Sequence, residues 1–68
     1  MRCIIQRKSD GKYLAMACRG YHWVDEEVES YAFPTQKAAE AHWQMQKDLG
    51  VKSYVNDEPI FIRINGEI

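Results

Sequence analysis

The cysteines, histidines and carboxylates are the side chains of this sequence with the chemistry to bind a metal or catalyse a reaction. Cys3 and Cys18 lie fifteen positions apart, with no CxxC pair and no histidine at a metal-ligand spacing. A structural zinc site takes four ligands, and Cys3, Cys18, His22 and His42 are too dispersed to form one by local folding. No metal and no cofactor is expected. Catalysis needs a nucleophile or proton donor held by an orienting partner. The chain has no G-x-S-x-G, phosphate loop, H-E-x-x-H or pair of catalytic carboxylates. The expectation is a protein that is not an enzyme.

Binding chemistry is better represented. Asp25, Glu26, Glu27 and Glu29 form an acidic run, directly after Tyr21, His22 and Trp23. Carboxylates can meet a basic partner, and aromatic residues supply the desolvated anchors of interfaces. Either this run is a solvated face and Trp23 tucks under a helix, or Tyr21, Trp23, Asp25, Glu26, Glu27, Glu29 and Trp43 form a partner-binding surface. Residues 1–24 carry a net charge of +4 and residues 25–35 a net of −4, within an overall charge of −1. That balance argues against a dedicated nucleic-acid binder, whose domain is typically strongly basic. The alternative nucleic-acid face would be Tyr13 and Phe61 on an open sheet face, with Arg2, Lys8 and Lys12 nearby.

These residues must be positioned by few elements. Sixty-eight residues make one domain, 1–68, with a small core. Eight aromatics and 46% hydrophobic residues imply a folded protein. No apolar run approaches the roughly 18 residues of a membrane span. The opening MRCIIQRK is too short an apolar segment for secretion, so a cytoplasmic location is expected, with Cys3 and Cys18 as reduced thiols.

The segment from Phe33 to Gly50 is the clearest element: Thr35 is suited to cap a helix, Gly50 to close it, and good helix formers fill the middle. At about 100° per residue, Ala38, Met45 and Leu49 fall together, with His42 beside them and Ala41 and Gln46 at the edges. This is the expected buried stripe. Trp43 sits roughly 120° from its centre, so it either flanks the core over a neighbouring loop or serves as a half-exposed binding anchor.

Residues 2–8 and 12–18 read as a hairpin around Asp10-Gly11. A two-residue loop sets Cys3 opposite Cys18, Ile5 opposite Met16 and Arg7 opposite Leu14, a cleaner apolar face than a three-residue loop allows. The two thiols are then expected close but unbonded. Residues 19–27 read as a connecting segment, Val28–Phe33 as a short third strand, residues 51–55 as another short strand and Ile60–Ile64 as a strand. Ile60, Ile62 and Ile64 would meet the helix and share one core with Leu14, Met16 and Leu49, with Phe61 on the opposite face. The expected fold is α+β: a small antiparallel sheet of β-hairpin plus C-terminal strand, with one α-helix packed on one face.

The residues Gly11–Ala15, Trp23–Asp25 and Tyr31–Ala41, about a third of the chain, form a pattern of hairpin, Trp, F-x-T and Ala-rich helix. This pattern resembles small ββαβ-type proteins of phages and mobile elements. It departs from them at Gln36-Lys37-Ala38, where such helices usually open with acidic residues. The resemblance implies a compact inhibitor of host machinery, a class that includes some anti-CRISPR proteins and polymerase inhibitors. Its partner would be a host protein complex, blocked by surface occlusion, with nucleic acid unlikely as a direct ligand. A single-stranded nucleic-acid accessory protein and an orphan domain that dimerises through the open sheet face are the alternatives.

Overall fold

The computed structural model describes residues 2–18 and 20–64; Arg19, counted above in the basic stretch, lies outside them. Four strands, β1 (Arg2–Arg7), β2 (Tyr13–Ala17), β3 (Gly20–Val24) and β4 (Pro59–Ile64), form an antiparallel sheet in the order β3-β2-β1-β4. One helix, α1 (Gln36–Asp48), packs on it. A 3-10 turn spans Glu27–Glu29 and a short helix, α2, spans Lys52–Val55. The α+β architecture is the expected one. Among the described residues no helix is long and apolar enough to cross a membrane.

The first hairpin forms where Asp10-Gly11 places it, but with a wider turn and a different register. The Asp10 carboxylate accepts from the Lys12 N–H at 3.1 Å and from both the Nε (3.1 Å) and an Nη (2.6 Å) of Arg7. These bonds draw Lys8 through Gly11 into a four-residue turn. Arg7 N–H donates to Lys12 O and Gly11 N–H to Arg7 O, with Gly11 at φ 73°. Gln6 therefore faces Tyr13. Beyond that point the hairpin splays. Leu14 O accepts from Tyr31 N–H at 2.9 Å, and Cys3 exchanges both backbone bonds with Phe33, at 2.9 and 2.7 Å. Residues 31–33 are wedged between the strands. Cys3 thus lies between Phe33 and Arg63 and is fully buried, while Cys18 is exposed; the expected Cys3–Cys18 pairing is not formed, and both thiols are free.

The third strand is also displaced. Tyr21, His22, Trp23 and Val24 are aromatic or β-branched types suited to a pleated surface, and the stretch read as a connection forms β3, with Ala17 opposite Gly20 and Leu14 opposite Trp23. Val28–Phe33 contributes part of the 3-10 turn and the single bridge at Phe33, not a strand.

Thr35 caps α1 as its hydroxyl predicts, accepting from Ala38 N–H at 3.1 Å, and Gly50 closes it at φ 81°. The buried face is different from the expected stripe. Ala39, His42 and Trp43 are buried, whereas Met45 is 52% and Leu49 72% exposed. The reason is aromatic volume: Trp43 meets Trp23 edge-on at 6.2 Å between ring centroids and Tyr54 at 4.7 Å. Burying an indole removes far more apolar surface from water than burying Met45 or Leu49 at the same place. The expected strand at 51–55 is the helical turn α2, which brings Tyr54 into this cluster.

The same competition turns β4 over. Ile5 pairs with Phe61 and Cys3 with Arg63, so Phe61 lies on the helix side and packs against the core. Ile60, Ile62 and Ile64 share the opposite face with Ile4, and Ile60 is exposed. The expectation that the isoleucines join Leu14, Met16 and Leu49 in one core is overturned; of these, Leu14 alone is in it.

This repacking carries a direct test by chemical denaturation. Trp43→Ala should cost ~3–5 kcal/mol, while Leu49→Ser should stay within about 0.5 kcal/mol of the parent. Comparable losses at both positions would contradict the observed helix face.

Candidate functional site

The sheet divides the expected partner-binding residues into two groups. On the helix side lie Tyr21 and Trp23 of β3 and Trp43 of α1. Trp43 is 5% exposed and belongs to the core, so it is not a free anchor. Trp23 is half-buried and packs against that core, as the reading that tucks it under the helix holds. Arg7 caps the cluster, its guanidinium 4.4 Å from the Trp23 ring centroid. Its charge is held by Asp10, and Asp57 lies 3.6 Å away. The Arg7 hydrogen bond keeps the Asp10 carboxyl at about 2. Tyr21 remains exposed at its edge, with its ring centroid 4.4 Å from that of His42.

At the centre of the cluster, His42 Nε2 and the Tyr54 hydroxyl form a buried hydrogen bond of 3.0 Å. Burial pushes His42 below its ordinary value and raises the Tyr54 hydroxyl to about 12, so both groups are neutral at physiological pH. This pair satisfies two polar groups inside an aromatic core. Both side chains are buried, at 6% and 4% exposure.

Glu26 and Glu27 lie on the other side of the sheet, beside Ile4. The chain leaves β3 at Val24, forms the 3-10 turn, and returns through residues 31–33 to α1. Glu29 N–H donates to Glu26 O and Ser30 N–H to Glu27 O, both at 3.0 Å, with the Ser30 hydroxyl adding a bond to Glu27 O at 2.6 Å. This tight turn lifts Val28 into solvent, 86% exposed, between Glu27 and Glu29. Beneath it runs an open groove of about 560 Å³ with Ile4, Ala32 and Ile64 as its apolar wall and Glu26, Glu27 and Val28 at its rim. Asp25 is paired with Lys12 at 3.5 Å; Glu26, Glu27 and Glu29 make no ion pair among the described residues.

The carboxylates are legible in the sequence and the groove is not. Val28 was readable as a lone apolar residue inside an acidic run. Ile4, Ala32 and Ile64 were not, because their approach depends on the flipped β4 and the wedge at residues 31–33. The alternative nucleic-acid face is not assembled. Tyr13 shares a face with Gln6, while Phe61 lies on the helix side; Lys8 contacts Glu58 at 3.4 Å and Lys12 contacts Asp25, leaving Arg2 exposed on β1. No cluster of three or more potential metal ligands occurs among the described residues. Comparison of the chain with family models, with curated proteins and with solved structures finds no match.

The buried imidazole sets a pH dependence of stability. Free His42 in the unfolded chain takes a proton near its ordinary 6.5, and the folded protein takes it at lower pH. Between those two values the unfolded state binds more protons, so stability falls as pH falls. The full contribution is present above 6.5 and is lost towards the folded value. Asp10 and Asp57, both held low, stay ionised through this window. Urea titrations at about pH 7.5 and about pH 5.5 should show the loss, and His42→Gln should flatten it. An unchanged slope in His42→Gln would assign the effect elsewhere.

Proposed function

We propose that the protein is a small non-catalytic protein-binding module that lays its acidic turn and apolar groove on a basic surface of a host complex and blocks that surface. The observation that supports this reading is Val28, held almost wholly in solvent above the Ile4–Ala32–Ile64 groove, between Glu27 and Glu29, which make no ion pair among the described residues. An exposed apolar residue within a ring of carboxylates suits a partner that offers lysines or arginines around an apolar contact. Such partners hold phosphate with the same cations, so carboxylates placed there compete with nucleic acid. The specific form of the proposal is a phage- or mobile-element-encoded inhibitor of a nucleic-acid-handling complex, of the anti-CRISPR kind.

The proposed site is narrower than the one expected from sequence. It retains Glu26, Glu27 and Glu29 and adds Val28 and the groove; Trp43 leaves it, and Tyr21 and Trp23 belong to the other side of the sheet.

Affinity capture from a bacterial lysate, read by mass spectrometry, tests it. The parent protein should recover a nucleic-acid-handling complex, with recovery falling as salt rises because exposed charges are screened. Reversing Glu26 and Glu27 to Lys, or replacing Val28 with Asp, should abolish that recovery. Thermal stability should change by no more than ~0.5 kcal/mol, since these side chains are solvated. Equal capture by parent and reversed protein would overturn the proposal.

A further inference from the structure

We infer that the outer edge of β4 pairs with the same edge of a second copy of this chain, in one register, with a two-fold axis at Ile62. Among the described residues no strand pairs with this edge. The direction of its backbone groups follows from the ladder. Lys8 N–H donates to Glu58 O at 3.0 Å, which makes 8 and 58 a hydrogen-bonded pair in register with Arg7 opposite Pro59. Hydrogen-bonded and non-hydrogen-bonded pairs alternate along an antiparallel ladder. Ile60, Ile62 and Ile64 therefore turn their N–H and C=O towards β1, and Pro59, Phe61 and Arg63 turn theirs outward. The bonds of Cys3 agree: this odd-numbered residue of β1 turns away from β4, to Phe33.

Pro59 has no N–H, so a register that asks it to donate loses a bond. Phe61 and Arg63 each offer a donor and an acceptor. A two-fold antiparallel pairing uses all of them when Phe61 faces Arg63 of the second copy, which places Ile62 opposite itself. Four backbone hydrogen bonds form around the axis. On the helix side each Phe61 ring then lies beside a guanidinium, a favourable cation–π arrangement. On the other side Ile60 meets Ile64 and Ile62 meets Ile62, joining two rows of partly exposed isoleucines into one. No like charges are set opposite each other. Five strand residues bury less than the roughly 1,000 Å² of a stable interface, so the dimer is weak and dissociates on dilution. The inference does not depend on the acidic groove.

Sedimentation velocity of the full chain from micromolar to millimolar concentration should show monomer passing to dimer. Arg63→Pro removes an outward N–H and spares the β1 ladder, a place where an edge strand tolerates proline; it should remain monomeric with an unchanged circular dichroism spectrum. A second pair of variants locates the axis and holds even if Arg63→Pro fails to fold. A non-hydrogen-bonded antiparallel pair has Cα atoms about 4.5 Å apart, inside the disulfide range of roughly 4.4–6.8 Å. In a Cys18→Ser background, Ile62→Cys should oxidise to a covalent dimer and Ile60→Cys should not. A parent that stays monomeric at millimolar concentration, a dimeric Arg63→Pro, or equal cross-linking of the two cysteine variants would each overturn the inference.

Discussion

The reciprocal backbone bonds between Cys3 and Phe33 are the constraint on which the rest of the structure depends. An antiparallel hairpin normally satisfies its inner N–H and C=O groups strand to strand. Here those groups of Cys3 go to Phe33, and Leu14 O goes to Tyr31. The hairpin is held together at its turn by Arg7, Asp10 and Lys12 and is forced apart at its other end. A buried backbone group without a partner costs a large part of a hydrogen bond's desolvation, so the segment that opens the strands must also supply their missing bonds. Residues 31–33 do both. They carry the chain from the acidic side of the sheet to the helix side and set Phe33 against His42, with ring centroids 5.3 Å apart.

Once the wedge is in place, the helix side is an aromatic problem. Trp23, Tyr31, Phe33, Trp43 and Tyr54 fill most of the space between sheet and helix, with Ile5 and Leu14 as the aliphatic floor. Their rings meet at steep angles, as ring quadrupoles prefer. Two polar side chains border this core: His42 bonds Tyr54, and Arg7 sits over the Trp23 ring with its charge held by Asp10. No buried side-chain nitrogen or oxygen among the described residues lacks a partner. A chain of this length has a thin margin of stability, and large rings give it more buried apolar surface per residue than aliphatic packing would.

The cost of that arrangement is borne by the other face. Because Phe61 turns inward, Ile60, Ile62 and Ile64 turn outward, and the acidic turn lies over only part of them. This leaves an apolar strip beside exposed carboxylates on one side and a regular strand edge at its margin. Both proposed surfaces, the acidic groove and the β4 edge, are consequences of which residues the core accepted.

Sequence alone determined the local features whose physics is local. The Thr35 cap, the Gly50 terminus, the Asp10-Gly11 turn and the strand character within residues 2–8, 12–18 and 60–64 follow from backbone preference and short-range hydrogen bonding. So does the α+β class. The acidic run was legible as a candidate surface because charge is visible without a fold. Tertiary structure decided which face of each element is buried. Met45 and Leu49 fit the helical period as well as His42 and Trp43 do, and Ile60, Ile62 and Ile64 fit a strand's core face better than Phe61. Periodicity ranks faces by polarity; it does not weigh the volume and shape of rings that arrive from Trp23 and Tyr54, distant in sequence. The hairpin register escaped for a related reason: Phe33, some thirty residues from Cys3, competes with β2 for its backbone bonds, and no local pattern records that competition.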